Sequence, residues 1–248
     1  MGGPDADLRR PLWQANRLQT LAMTPPPPPP LLTDLVLQVQ GLCFAYPGAA
    51  PLFDRWQAAL PAGLTWLAGD TGSGKTTLLR LLAGDLAPEP GRDGQRRLAG
   101  VVCERDPAAY RRQVSWFDPR DPAWDALTPA GLMAAQRQQH AGLDEAAWQR
   151  HLAGFDLLPH LDKPLYALST GSRRKAALAV ALASGARLTL LDEPTGGLDA
   201  AALAYLGQAL VEAAAAPGRA LLLASSQGPQ AVPGAPAGGL ITLPERGF

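Results

Sequence analysis

One nine-residue run, Gly69-Asp70-Thr71-Gly72-Ser73-Gly74-Lys75-Thr76-Thr77, constrains the fold of this chain more than any other feature. It lies between Leu64–Ala68, a short apolar stretch that reads as a buried strand, and Leu78–Ala83, which reads as the opening turns of a helix. Glycines at this spacing let successive backbone N–H groups converge on an anion, and a helix N-terminus adds positive potential at the same point. Lys75 is placed to neutralise terminal phosphates and the Thr76 hydroxyl to ligate Mg²⁺. With only three lysines in the chain, a chance Gly-Lys-Thr at the end of such a loop is improbable. The strand–loop–helix unit therefore predicts a nucleotide-binding α/β fold.

The rest of the chain fits that expectation. Leu35–Gln40 alternates apolar and polar residues like a half-buried strand and runs on to Phe44 and Tyr46 before a Pro-Gly turn. Leu98–Cys103 and Val114–Phe117 are further apolar stretches of strand length. Between Thr128 and Leu161 the apolar residues fall at helical spacing, which predicts a helical lobe over approximately 118–175. Helices at 176–183 and 200–214 then alternate with strands at 188–191 and 220–224. Alternation of that kind implies a mainly parallel sheet covered on both faces. No internal repeat is present.

Residues 1–33 stand apart from the predicted domain, 34–248. Six consecutive prolines, Pro25 to Pro30, favour an extended polyproline conformation without a packed core. Arg9-Arg10 is followed by no apolar stretch and is not read as an export signal. Met23, just ahead of the proline run, is a candidate translation start, which N-terminal sequencing of the native protein would test.

Composition excludes several classes. Formal net charge is zero over 248 residues and the basic residues are scattered, so no electrostatic footprint for nucleic acid is present. No apolar run approaches the roughly 20 residues that span a bilayer, so a membrane role requires a partner. Cys43 and Cys103 form no CxxC pair and read as isolated buried thiols.

A second motif, Leu188-Thr189-Leu190-Leu191-Asp192-Glu193-Pro194, places two acids at the end of an apolar strand, where open α/β sheets hold their ligands. Asp192 suits a Mg²⁺ ion through its water shell, and Glu193 suits an attacking water beside a γ-phosphate. A third motif, Leu168-Ser169-Thr170-Gly171-Ser172, precedes it and opens a helix.

In this order the three motifs resemble those of the ATP-binding cassette (ABC) ATPases, over essentially residues 34–248. The third is similar to the family's signature LSGGQ, with Thr170 for the first glycine and Ser172 for the glutamine. The resemblance implies a P-loop NTPase-type, mainly parallel sheet flanked by helices, with an antiparallel β subdomain and an inserted helical lobe. It implies ATP as substrate, Mg²⁺ as cofactor, and a nucleotide site made of Gly69, Asp70, Thr71, Gly72, Ser73, Gly74, Lys75, Thr76 and Thr77. Thr76 and Asp192 would hold the metal, and Glu193 and Lys75 would carry catalysis. Ser169 and Gly171 would contact the γ-phosphate of a nucleotide held by an opposing subunit, while Ser169 also reads as a simple helix N-cap. Tyr46 matches the aromatic that stacks on adenine, although an aromatic beside a Pro-Gly turn is often packing. Gly197-Leu198-Asp199 matches the loop that links the two sites of the dimer, and Asp199 reads equally as an N-cap.

Two departures stand out. Where the family has a glutamine at the edge of the lobe, this chain reads Val114-Ser115-Trp116-Phe117-Asp118-Pro119-Arg120-Asp121-Pro122, with the register open between Asp118 and Pro119. Where it has a switch histidine, counting past the strand at 220–224 gives Ser226, with Gln227 next; neither is an imidazole, so the contact with the γ-phosphate is expected to be weaker or arranged differently. His140, His151 and His160 all fall in the lobe and read as surface or packing residues. Binding is expected to be intact and hydrolysis retained but slowed, since each absent positioning group is worth about 10²–10⁴-fold.

The leading expectation is the ATPase subunit of a membrane transporter. It would dimerise with an identical or different cassette and lie on the cytoplasmic face of the membrane through an integral membrane partner. The Trp116, Trp124 and Trp148 region belongs to the lobe that docks such partners in the family, with core packing as the other reading. An alternative is a degenerate, slow-hydrolysing regulatory module. A cassette acting on ribosomes or DNA would carry two cassettes or a long coiled-coil insertion and tend to be basic, which this chain is not.

Overall fold

The computed structural model describes residues 35–92, 94–116 and 122–244. The Pro-rich segment 1–33 and the Asp118/Pro119 positions lie outside the described residues. In chain order the elements are β1 (Leu35–Phe44), β2 (Phe53–Pro61), β3 (Gly63–Ala68), α1 (Lys75–Ala83), β4 (Gln95–Leu98), β5 (Val101–Val102), α2 (Pro107–Arg111), β6 (Val114–Trp116), α3 (Pro129–Gln139), α4 (Glu145–Gly154), α5 (Thr170–Ala183), β7 (Leu188–Asp192), α6 (Ala200–Ala214), β8 (Ala220–Ser225) and β9 (Gly239–Thr242).

They build two sheets. Strands β6-β7-β8-β3-β9 form a parallel sheet, and β2-β1-β4-β5 form an antiparallel one. The strands of the first are near-continuous apolar runs because both of its faces are covered. Along β8, Leu221 and Leu223 enter a core shared with α3, α4, α5 and α6, while Ala220, Leu222 and Ala224 enter a second core shared with α1 and the antiparallel sheet. This period-two split sandwiches α1 between the sheets. The helix can be covered on all sides because Leu78, Leu79, Leu81 and Leu82 are fully buried.

The class expected from sequence is the one observed, with three differences of detail. The stretch 98–103 is not one strand: Ala99 and Gly100, with φ of 44° and 89°, make a two-residue turn that pairs Leu98 with Val101. Positive φ at both turn residues matches the twist of a tight hairpin. Strand β2, absent from the sequence reading, has a mostly exposed, polar outer edge and a pairing with β1 broken by register shifts. Strand β9 was also missed; it pairs in parallel with β3 over Thr65–Ala68.

Arginine side chains serve as helix caps in the interior. Arg219, 8% exposed, donates to the carbonyls of Ala181 (3.0 Å) and Leu182 (2.9 Å) at the end of α5 and to Thr189 Oγ1 (3.0 Å). Three acceptors, two of them at the negative end of a helix, compensate its charge, and desolvation brings its pKa down to about 10. Both cysteines are free and buried, as expected.

Candidate functional site

The loop 69–74 leaves the end of β3 and enters α1 through glycines that no other residue replaces without strain. Gly69, Gly72 and Gly74 have φ of 158°, 87° and 99°. A Cβ on Gly69 would lie 2.6 Å from Ser73 Oγ, and one on Gly74 would lie 3.2 Å from the Leu52 side chain. The loop closes on itself: Ser73 N–H donates to the Asp70 carbonyl at 3.1 Å, and the Lys75 amine donates to the carbonyls of Gly69 (2.6 Å) and Asp70 (3.0 Å). Lys75 is only 7% exposed, so its charge is concentrated at the mouth of the loop.

Strand β7 delivers the two acids to the same place. Thr76 Oγ1 donates to Asp192 Oδ2 at 2.5 Å, bridging residues 116 apart in sequence. Glu193 Oε1 lies 3.5 Å from Lys75 Nζ and accepts the Ser226 N–H at 2.9 Å. Glu193 has φ of 42°, a left-handed conformation uncommon for a residue other than glycine. Its own N–H donates to the Ala224 carbonyl at 2.9 Å, so β8 holds it through both main chain and side chain.

An open cleft of about 460 Å³ runs over this cluster, lined by Tyr46, Leu52, Thr71, Gly72, Gly74, Lys75, Thr76, Thr77, Asp192 and Glu193. Tyr46 stands at its rim, 44% exposed, edge-on to Phe44 and sharing a 3.0 Å hydrogen bond with the Thr77 hydroxyl. The side chain is thus partly exposed at the rim while its tip is fixed. Leu52, which no motif in the sequence marks, supplies an apolar wall opposite Gly74.

The residues fit a phosphate chain with a divalent ion. The buried Ser73 hydroxyl has no protein partner inside the loop. The first N–H groups of α1 have no intrahelical acceptors and face the loop. A hydroxyl and a carboxylate already share one point at Thr76 and Asp192. Mg²⁺ bound with phosphates requires only one or two protein ligands, so this pair suffices.

Three expected residues form a separate cluster. Ser169, Gly171 and Asp199 do not line the cleft. Ser169 Oγ accepts the Ser172 N–H at 3.1 Å, and Asp199 Oδ1 accepts the Ala202 N–H at 2.8 Å, so both are N-caps. The two helix starts are clamped together. A Cβ on Gly171 would fall 2.3 Å from the Gly197 carbonyl oxygen, Arg174 donates to the Gly196 carbonyl at 2.7 Å, and Lys175 donates to Asp199 at 2.6 Å. The Lys175 hydrogen bond, followed by that from Ala202 N–H, holds the Asp199 carboxyl below its usual range.

The tryptophans and histidines between residues 116 and 160 divide, with Trp116 ending β6 of the parallel sheet. Trp148 is core, whereas Trp116 and Trp124 are half-buried and line a groove of about 440 Å³ with Arg80, Arg111, Gln136 and Gln139. His140 and His151 are buried packing residues rather than surface ones. His140 bonds to the Arg112 carbonyl and His151 to the Tyr205 hydroxyl.

Comparison with known proteins gives a consistent answer. Residues 58–196 match the family model described as ABC transporter. The chain is 38% identical over 169 residues to the cytochrome c biogenesis ATP-binding export protein CcmA of Bordetella bronchiseptica, covering 68% of this chain and 74% of that one. It is 32% identical over 176 residues to the cobalt import ATP-binding protein CbiO of Rhodobacter capsulatus, covering 67% and 61%. Among solved structures, an ATP-binding subunit of an ABC transporter superposes with a TM-score of 0.66 at 25% identity, over 76% of this chain and 79% of that one. The fold is also shared with cbiO1 from Clostridium perfringens, part of the ABC transporter complex cbiONQ, at a TM-score of 0.57 and 21% identity over 77% and 78%.

Proposed function

The chain belongs to the ABC transporter family of ATP-binding subunits, and on that premise we propose that its cleft binds ATP with Mg²⁺ and hydrolyses it to power a membrane transporter. The observation that carries this reading is the convergence of Lys75, Thr76, Asp192 and Glu193 in one cleft from two distant segments. A phosphate chain in the loop would receive the N–H groups of α1 and exchange for the carbonyls and carboxylate that Lys75 now contacts. Thr76 and Asp192 would hold Mg²⁺, which neutralises charge on the phosphate oxygens. Glu193 accepts a proton from the attacking water as its oxygen bonds to the γ-phosphorus and the bond to ADP breaks, yielding ADP and phosphate. Tyr46 offers its ring to adenine.

Ser169 and Gly171 lie off the cleft with a helix N-terminus behind them. We assign them to the γ-phosphate of a nucleotide on a second cassette, which makes the working unit a homo- or heterodimer. The groove at Trp116 and Trp124 provides an apolar platform with cationic and amide edges for an integral membrane subunit. Among the described residues no helix is long and apolar enough to cross a membrane, so that subunit would bring the protein to the cytoplasmic face.

The test pairs two readouts. Wild-type protein should release phosphate from ATP only with Mg²⁺, and Glu193→Gln should lower kcat about 10²–10⁴-fold while still binding nucleotide. The tagged Glu193→Gln protein should also recover a multi-spanning membrane protein from detergent-solubilised membranes in the presence of ATP. Turnover unaffected by Glu193→Gln, or recovery of soluble proteins alone, would refute this assignment.

A further inference from the structure

The groups around Glu193 show how this chain holds a base without an imidazole nearby. Both polar contacts of the Glu193 carboxylate fall on Oε1: the Ser226 N–H at 2.9 Å and the Lys75 amine at 3.5 Å. Lys75 is already committed to the carbonyls of Gly69 and Asp70, and it would turn to phosphate when nucleotide enters. The Ser226 N–H has no such competing duty. It projects from the turn that follows β8, a turn shaped by the buried Ser225, whose Oγ accepts the Gln227 N–H at 3.1 Å. The Ser226 side chain itself is exposed.

We propose that the main-chain N–H of Ser226 is the positioning group for Glu193, so that residue 226 acts through its backbone and its hydroxyl is dispensable. This rests on the reading of Glu193 as the base. A carboxylate held at one oxygen can turn about its Cγ–Cδ bond only at the expense of a charge-assisted hydrogen bond. Glu193 lines the cleft, and with Oε1 so held its second oxygen is left for the water that would give up its proton. The left-handed backbone at Glu193 and its N–H bond to the Ala224 carbonyl fix the other end of the same side chain. Main chain and carboxylate are thus both fastened to the end of β8. The sheet, rather than a mobile side chain, sets the position of the base.

The proposal separates the two parts of one residue, and so does its test. Ser226→Ala keeps the N–H and should hold kcat within about twofold of wild type. In that Ala background, replacing the amide at 226 by an ester, through incorporation of lactic acid, deletes the N–H alone. The ester should lower kcat about tenfold, the effect of one hydrogen bond to a charged group, with KM and nucleotide Kd within about twofold. In a Glu193→Gln background the ester should have little further effect, because residues acting as a unit are not additive. A large kcat loss in Ser226→Ala, or an ester that keeps wild-type kcat or changes Kd instead, would overturn the proposal.

Two controls keep the reading separable. Turnover equal in wild type and Glu193→Gln would remove the base assignment itself, and this inference with it. Glu193-dependent turnover that the ester leaves intact would remove this inference alone. Should the ester protein not fold, NMR of serine-labelled protein decides: the Ser226 amide proton should be shifted downfield by its carboxylate partner and move upfield in Glu193→Ala. An unmoved resonance would exclude the contact.

Discussion

Tyr46 illustrates how a single side chain can carry two separable contributions. It lines the cleft and is partly exposed, while its hydroxyl is tied to Thr77 at the start of α1. If adenine stacks there, Tyr46→Ala should raise nucleotide Kd about tenfold or more, since base–aromatic stacking is worth roughly 1–3 kcal/mol. Tyr46→Phe keeps the ring and loses only a net hydrogen bond of about 1 kcal/mol, so its Kd should rise a few-fold at most. Equal losses in fluorescent-nucleotide titrations of both variants would move the contribution from the ring to the hydroxyl. At this scale the sequence was highly legible. Lys75, Thr76, Asp192 and Glu193 were each placed by local motif, because a strand end followed by a Gly-rich turn has few possible geometries. The Ser226 amide contact was not legible: a backbone N–H carries no residue-type signal, and only the fold brings it to Glu193.

Whole elements were less evenly readable, for packing reasons. Helix α5 and strands β7 and β8 announce themselves because burial on all sides demands apolar runs. Strand β9 is four residues long, begins at Gly239 directly after Gly238, and is too short for its period to show in the sequence. Those glycines are what admit the strand: a Cβ on Gly238 would sit 2.4 Å from the Leu64 carbonyl oxygen, a backbone atom with little freedom to yield. Gly238→Ala should therefore push β9 off β3 and destabilise the domain by about 1–3 kcal/mol, read as a lower midpoint in urea.

The α4–α6 contact makes a prediction in pH. His151 is buried against Phe155 and Tyr205, and burial lowers its pKa from 6.5 to about 4, with the carboxylates of Glu212 and Asp144 pulling weakly the other way and Arg150 and Arg219 reinforcing it. His140 shifts in the same direction, chiefly through burial. The unfolded chain binds these protons first as pH falls, so stability should be full above about pH 6.5 and decline towards pH 4, with His151 contributing on the order of 3 kcal/mol. His151→Phe should flatten that slope in urea unfolding curves, and an unchanged slope would assign it to other groups.

Across the whole molecule, the arrangement of the two polar clusters argues for a second copy or a second cassette. The cleft over Lys75 and Glu193 is open on one side, and its lining contains neither Ser169 nor Gly171. The signature segment and the Gly196–Asp199 loop are held together by close backbone approach and by Arg174 and Lys175. The start of α5 at Ser169 is exposed and lies outside the lining of the cleft that the phosphate loop forms. Under the proposed function, two chains related by a two-fold axis would each present to the other's cleft the Ser169 segment that the cleft's own lining lacks. Glu193→Gln protein with ATP and Mg²⁺ should accordingly run as a dimer in light scattering and as a monomer without nucleotide. Ser169→Arg, exposed and off the cleft, should abolish the dimer while the monomer still binds nucleotide with near-normal Kd. If this chain's natural partner is a different cassette, the purified chain stays monomeric with ATP, and adding that cassette restores ATP-dependent association that Ser169→Arg still prevents. Nucleotide-dependent association that survives Ser169→Arg would place the interface elsewhere and leave Ser169 with only the capping role the structure already gives it.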